Sequence, residues 1–260
     1  MVNEESLSGA TVQQIFKALM KKSSFGNSRE IDLKETDQGR GLPPPLLELA
    51  YDKTKEVIEL PSPKEIKVDS TDLREAIERR RSIRTYGDEP LTIEELSWLL
   101  WCTQGVKQVV GNINTLRTVP SGGARHPFET YLLVNRVKDL HAGLYRFLAI
   151  EHRLVELSLE EDLADKVTKA CWQQQMVKNS AVTFFWVFVP YRSVWRYGDK
   201  GYRAFGEVGF ICQNLYLGAE AIRSGVCAIG AYNLDEMHRI LGINGDEQFL
   251  ICCATVGKKK

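Results

Sequence analysis

The chain has 260 residues, 34 acidic against 34 basic side chains and 43% hydrophobic residues. That composition supports a sizeable core, and the balanced charge argues against a general nucleic-acid or anionic-membrane surface. The opening stretch MVNEESLSGA lacks the basic and apolar regions of a secretory signal, and the longest apolar run, 181–189, is too short to span a bilayer. A cytoplasmic protein is expected, without a metal site, its six cysteines reduced and buried because none forms a Cys-x-x-Cys pair.

In chain order, 10–21 reads as a short helix with Ile15, Phe16 and Leu19 on one side. Residues 22–45 are polar and rich in Gly and Pro, and Pro61 and Pro63 mark a further extended segment. Residues 1–68 therefore read as a partly irregular N-terminal arm and 69–260 as the folded domain. A helix over 71–80 runs into ERRRSIRTYG, which places Arg79, Arg80, Arg81 and Arg84 around Ser82. Thr92 with Glu95 forms a capping box for the next helix, which Gly105 stops. Strands are expected over 128–134 and 143–148, with 152–157 pairing to the latter. A helix is expected over 159–176, and 181–189 reads as a central strand buried on both faces. A long helix over 205–223 contains Gly206, Gly209 and Gly218, a short one begins at Asn233, and 249–256 closes the sheet. Helices and strands alternate without a regular crossover rhythm, so the expected class is α+β, a mixed sheet flanked by helices.

Three stretches carry chemistry. In an extended segment Arg80, Ser82 and Arg84 share one face, two guanidinium forks and a hydroxyl suited to a phosphate monoester. The same run also reads as a solvated basic helix end. Pro120-Ser121-Gly122-Gly123 is a small-residue loop just before a strand. Its backbone donors could reach a flat ligand, or it is an ordinary turn. Ala228 to Gly230 offers a second small, apolar backbone surface. No G-x-G-x-x-G follows a strand, and no Gly-Lys-Ser/Thr loop or Gly-x-Ser-x-Gly elbow is present, which excludes the dinucleotide-fold, P-loop and serine-hydrolase readings.

Taken together, RRSIRTY, LTIEELSWLLWCTQGV, PSGGARHPFETYLLVN, GLYRF and GEVGFICQNLYLGAEAIRSGVCAIGAYN resemble the FMN-dependent nitroreductase superfamily over 69–257, and within it the SagB-type dehydrogenases. The resemblance implies an intertwined homodimer with FMN sites at the subunit interface. It implies that Arg80, Ser82 and Arg84 grip the phosphate and ribityl chain, with Arg81 helping through its backbone. Pro120, Ser121 and Gly122 would come from the other subunit, Ile229 and Gly230 would lie near the hydride-accepting edge, and Lys258 would be the C-terminal phosphate contact. Electrons would pass from NAD(P)H through the flavin to a small-molecule acceptor such as a nitroaromatic or quinone. The alternatives are a SagB-type dehydrogenase that oxidises azolines in a peptide, or a flavin-binding subunit without turnover. Azoline-oxidising members share a Lys-Tyr pair where this chain has Arg196-Tyr197, the candidate catalytic pair. Arginine keeps its proton and cannot be a general base, which leaves Tyr197 or Lys200 for that role, or a loop that only caps the pocket.

Overall fold

The computed structural model describes residues 10–24 and 33–260. Its centre is a seven-stranded sheet. The strands are β1 (Val57–Glu59), β4 (Phe128–Val134), β5 (Gly143–Leu148), β6 (Arg153–Ser158), β7 (Val182–Phe188), β8 (Ser224–Ile229) and β9 (Phe249–Lys258), arranged β1-β6-β5-β4-β7-β9-β8. Every ladder in it is antiparallel. Parallel pairing is confined to one-residue bridges, Leu91 to Val137 and Ser82 to Val226, the latter laying the arginine segment along the outer edge of β8. A separate hairpin, β2 (Val106–Val110) and β3 (Asn114–Arg117), turns at Gly111 with φ of 58°.

The strands are apolar on both faces because helices cover both. Leu132, Val134, Phe184, Trp186, Ala254 and Val256 face one core, closed by α3 (Ile93–Gln104) and α7 (Val208–Glu220). Their immediate neighbours Tyr131, Leu133, Phe185, Val187 and Cys253 face the other, closed by α4 (Leu163–Ala170), α5 (Met176–Asn179) and α8 (Leu234–Leu241). The period-two alternation of a strand thus serves two cores at once. It also separates Cys252, packed against the first core, from Cys253 in the second. All six cysteines are free.

Thr92 caps α3 through the expected box, its hydroxyl accepting the Glu95 N–H at 3.2 Å while Glu95 accepts the Thr92 N–H at 3.0 Å. Gly218 brings α7 against α3, where an added Cβ would lie 2.9 Å from the Cys102 sulfur. Asn233 caps α8 by accepting the Glu236 N–H at 3.0 Å.

Two expected helices are shorter than the sequence suggested. The run 159–176 is broken after Ala170, where Trp172 and Gln173 turn left-handed. There the Ala170 carbonyl accepts the Asn233 N–H at 2.7 Å, so a tertiary bond replaces the next helical turn. The long helix begins at Val208, because 198–207 winds as a tight 3-10 coil that folds back on α6 (Tyr191–Tyr197). Gly201 permits that contact, since a Cβ there would stand 2.5 Å from the Ser193 backbone.

Near the N-terminus, α1 (Val12–Lys22) is capped by Thr11 and buries none of its residues, whereas α2 (Leu73–Arg79) begins at the N-cap Asp72. Segment 36–61 runs along the body of the fold. Trp195 donates to the Leu42 carbonyl at 3.1 Å, Arg192 to Leu46 at 3.0 Å and Arg146 to Leu49 at 2.9 Å, and β1 extends the sheet. No described helix is long and apolar enough to cross a membrane.

Candidate functional site

The arginine cluster divides where α2 ends. Arg79 is still helical and pairs with Glu75 at 2.8 Å on the exposed face. Arg80 leaves the helix with ψ of 119°, and the chain continues extended. Ser82 bridges Val226, and the Ile83 N–H donates to the Val226 carbonyl at 2.9 Å. Ile83 is seated directly over Gly225, where a Cβ would stand 2.6 Å from its own. Beyond it the buried Tyr86 donates to the Ile83 carbonyl at 2.7 Å and meets the Thr255 hydroxyl at 2.7 Å. Ile83 packs inward on Gly225 while Arg81, Ser82 and Arg84 stay exposed and Arg80 lies on the side of Ser82; Tyr86, also even-numbered, is buried, so simple alternation does not run through the segment.

That side has a floor absent from the sequence-based expectations. The Ser82 and Tyr216 hydroxyls lie 3.0 Å apart, the Arg80 guanidinium sits 5.3 Å from the Tyr216 ring centroid, and Tyr216 accepts the Ala228 N–H at 2.9 Å. Tyr216 is buried in α7 amid apolar neighbours. The available signal was that a buried tyrosine hydroxyl needs a partner. Arg80, Arg81 and Arg84 pair with no carboxylate among the described residues. Alternation along β8 exposes Ala228 and buries Ile229, with Gly230 exposed just beyond the strand, so this edge offers backbone and small atoms.

The Pro120 loop lies on a different part of the chain. Among the described residues no hydrogen bond or ion pair joins it to the arginine segment. It is pinned from within: Arg125 is buried, donates to the Arg192 carbonyl at 2.6 Å and sits 5.0 Å from the Trp195 ring centroid. The Ser121 hydroxyl accepts the His126 N–H at 2.9 Å. His126 is buried, and desolvation, then the charge of Arg117, brings its pKa down to about 3. It is a neutral structural residue at working pH. On its outer side the loop meets the catalytic candidates. A Cβ on Gly123 would lie 2.3 Å from the Tyr197 hydroxyl and 3.1 Å from the Arg196 side chain. Glu207 accepts the Gly122 N–H at 2.8 Å.

Lys258 ends β9 beside Ser224. Its ammonium is held by Glu95 and by the Ile222 carbonyl, the latter at 3.1 Å. The capping-box glutamate of α3 therefore has a second task, and Lys258 is engaged within its own chain.

This sheet, covered on both faces and edged by an arginine-serine segment, defines an α+β fold of the nitroreductase kind. The chain belongs to the nitroreductase family, whose model matches residues 77–258. A protein of Methanocaldococcus jannaschii described as a nitroreductase is 32% identical over 203 residues, 78% of this chain and 96% of that one. The trifolitoxin-processing protein TfxB of Rhizobium leguminosarum bv. trifolii is 30% identical over 115 residues, 41% of this chain and 30% of TfxB.

Among solved structures, a nitroreductase-type protein of Ralstonia eutropha superposes with a TM-score of 0.65 at 23% identity, covering 85% of this chain and 96% of that one. One from Anabaena variabilis gives 0.65 at 24% identity, and here the match spans 80% of this chain and 42% of the longer relative. The Escherichia coli microcin synthetase McbBCD complex, with truncated pro-MccB17 bound, contains a chain matching at 0.58 and 15% identity over 100% of this chain and 98% of that one. A Desulfovibrio desulfuricans nitroreductase-type structure in complex with FMN matches at 0.52 and 16% identity over 73% and 87%. These likenesses establish the fold.

Proposed function

We propose that the protein is an FMN-dependent oxidoreductase working as a cytoplasmic homodimer, with NAD(P)H as electron donor and a nitroaromatic, quinone or similar small molecule as acceptor. The observation that carries this reading is that the segment holding Arg80, Ser82 and Arg84 is bridged to Val226 at the β8 edge, with no carboxylate paired to these arginines among the described residues. Guanidiniums beside a hydroxyl donor and a tyrosine fit a phosphate ester, and exposed Ala228 and Gly230 leave room for a planar group, so the residues fit FMN. Arg80 and Arg84 would hold the phosphate, with Ser82 and the Arg81 backbone beside them. Ile229 contributes its backbone, while its side chain fills the core. Lys258, neutralised by Glu95, supports this edge from behind. Pro120, Ser121 and Gly122 would complete the site from the partner subunit, which is the reason for a dimer.

When bound, FMN supplies the hydride acceptance and donation that no side chain here offers. The protein's own residues bind it, orient it and close the pocket through Arg196 and Tyr197. A yellow protein whose released flavin chromatographs as the monophosphate supports the reading, and a colourless protein that takes up no added FMN refutes it. Sedimentation showing a monomer that retains FMN would contradict the shared site.

A second reading, azoline oxidation in a peptide, draws on TfxB and on the full-length likeness to a chain of the microcin synthetase complex, which includes the N-terminal segment. Tyr197 would then be the proton-handling group. NADPH oxidation with and without menadione separates the two.

A further inference from the structure

The Pro120 loop adopts a backbone its side chains do not favour. Gly123, Ala124 and His126 have φ of 61°, 53° and 45°, and two of the three are not glycine. Arg125 and the Ser121 hydroxyl hold the inner half. The outer edge is tied to the body of the protein through Glu207, which accepts the Gly122 N–H at 2.8 Å.

Glu207 lies where the 3-10 coil passes into α7, in helical backbone with φ of −65° and ψ of −17°, and its side chain makes no capping bond. It reaches instead to a loop 85 residues away. It pairs with no cation among the described residues, and burial pushes its pKa up against the pull of the Gly122 hydrogen bond. With no capping bond and no ion pair among the described residues, the carboxylate's hydrogen bond is to the loop. On the other side of that loop, the Tyr197 hydroxyl closes on Gly123.

We propose that Glu207 is a positioning residue for flavin binding. Its carboxylate sets the Gly122 N–H, and with it the Pro120–Gly122 backbone, at the height from which the loop meets the ring of the flavin held by the partner subunit. The inference rests on the flavin reading above. Glu207 itself touches no reacting atom, and a single acceptor oxygen is what the loop requires. Glutamine should therefore replace it, and alanine should not.

Two measurements on the full-length protein test this. The first is hydrogen exchange of peptides covering 120–124 in flavin-free protein. Glu207→Ala should speed exchange there roughly tenfold or more, as loss of a local tether does, while Glu207→Gln stays near wild type. The second is FMN affinity by quenching of flavin fluorescence. Glu207→Ala should weaken binding about ten- to a hundredfold, as expected for one lost hydrogen bond to a charged group, and Glu207→Gln by less than about threefold. Unchanged exchange in Glu207→Ala overturns the inference whatever the flavin result. A glutamine variant as impaired as alanine overturns it too, because the charge and not the acceptor would then matter. If wild type binds no FMN while exchange responds as expected, the tether stands, and both the flavin reading and the flavin part of this inference fall.

Discussion

Glu129→Ala should be among the most destabilising single substitutions in this chain. Glu129 projects from β4 and is 4% exposed, and its partner Arg192 on α6 is 1% exposed. The carboxylate accepts from Arg192 and from the Leu49 N–H, the latter at 2.8 Å. Burial would raise its pKa, but Arg192, Arg146 and these hydrogen bonds outweigh that, and the group stays below its usual range. Removing it leaves Arg192 charged in the interior, for which about 3–5 kcal/mol is typical. At about 2–4 °C per kcal/mol for a chain near this length, Tm should fall by roughly 6–20 °C, read by calorimetry at matched protein concentration. The double variant Glu129→Met with Arg192→Met should be no less stable than Glu129→Ala alone. It removes the unpaired charge, although Leu46 and His126 lose their Arg192 donor. A fall under about 3 °C for Glu129→Ala, or a double variant that loses the sum of its singles, would refute the coupling.

Arg84→Ala should weaken FMN about ten- to a hundredfold, since a charge-assisted contact is worth roughly 1.5–3 kcal/mol. Arg79→Ala should change it little, because Arg79 is exposed and already paired with Glu75. Equal effects in a fluorescence titration would mean the register is wrong. Glu48 has its pKa raised to about 7 by burial and by Glu129. It binds a proton in the folded state at pH values where the unfolded chain, at 4.5, does not. Its stabilising effect is complete below 4.5 and is lost as pH rises through about 7. Glu48→Gln should therefore gain stability over wild type between pH 5 and pH 8, and a difference flat with pH would contradict this. Arg196→Ala should lower quinone turnover less than about tenfold, because a permanently charged group cannot supply the hundredfold or more typical of acid–base residues. A larger loss confined to flavin reoxidation in stopped-flow would make Arg196 an acceptor-orienting residue.

What was legible in the sequence follows from how locally each feature is determined. The strands at 128–134, 143–148 and 182–188 and the cap at Thr92 were legible because side-chain type and spacing fix them within a few residues. The expected sharing of one face by Arg80, Ser82 and Arg84 assumes only an extended backbone, and the burial of even-numbered Tyr86 shows that alternation does not hold along the whole segment. What makes the backbone extended there, the Ser82–Val226 bridge and the Tyr86 anchor, comes from residues about 140–170 positions away. The break after Ala170 and the coil at 198–207 were missed for the same reason. Each depends on a tertiary contact, the Asn233 amide in one case and the Gly201 approach to α6 in the other, that overrides a plausible helical pattern. Tyr216 and Glu207 both lie in the stretch GEVGFICQNLYLGAEAIRSG, but nothing in that stretch says which partner each side chain meets. Their roles exist only once α7 is laid beside β8 and the Pro120 loop.

The same reasoning bears on the N-terminal arm. The family match begins at residue 77, yet support for the Pro120 loop begins before it. Leu46 gives its carbonyl to Arg192 at 3.0 Å, Arg192 donates to His126 at 3.3 Å, and the Arg192 carbonyl receives Arg125 at 2.6 Å. Segment 36–61 is therefore linked to Arg192, and Arg192 by two further hydrogen bonds to the loop proposed to meet the flavin. Each link is a buried guanidinium bound to backbone oxygen, so a shift of the segment cannot be absorbed by side-chain rotation alone. It must move the loop or leave a carbonyl unpaired, which is costly in the interior. This is a physical reason for residues outside the matched region to constrain the site inside it.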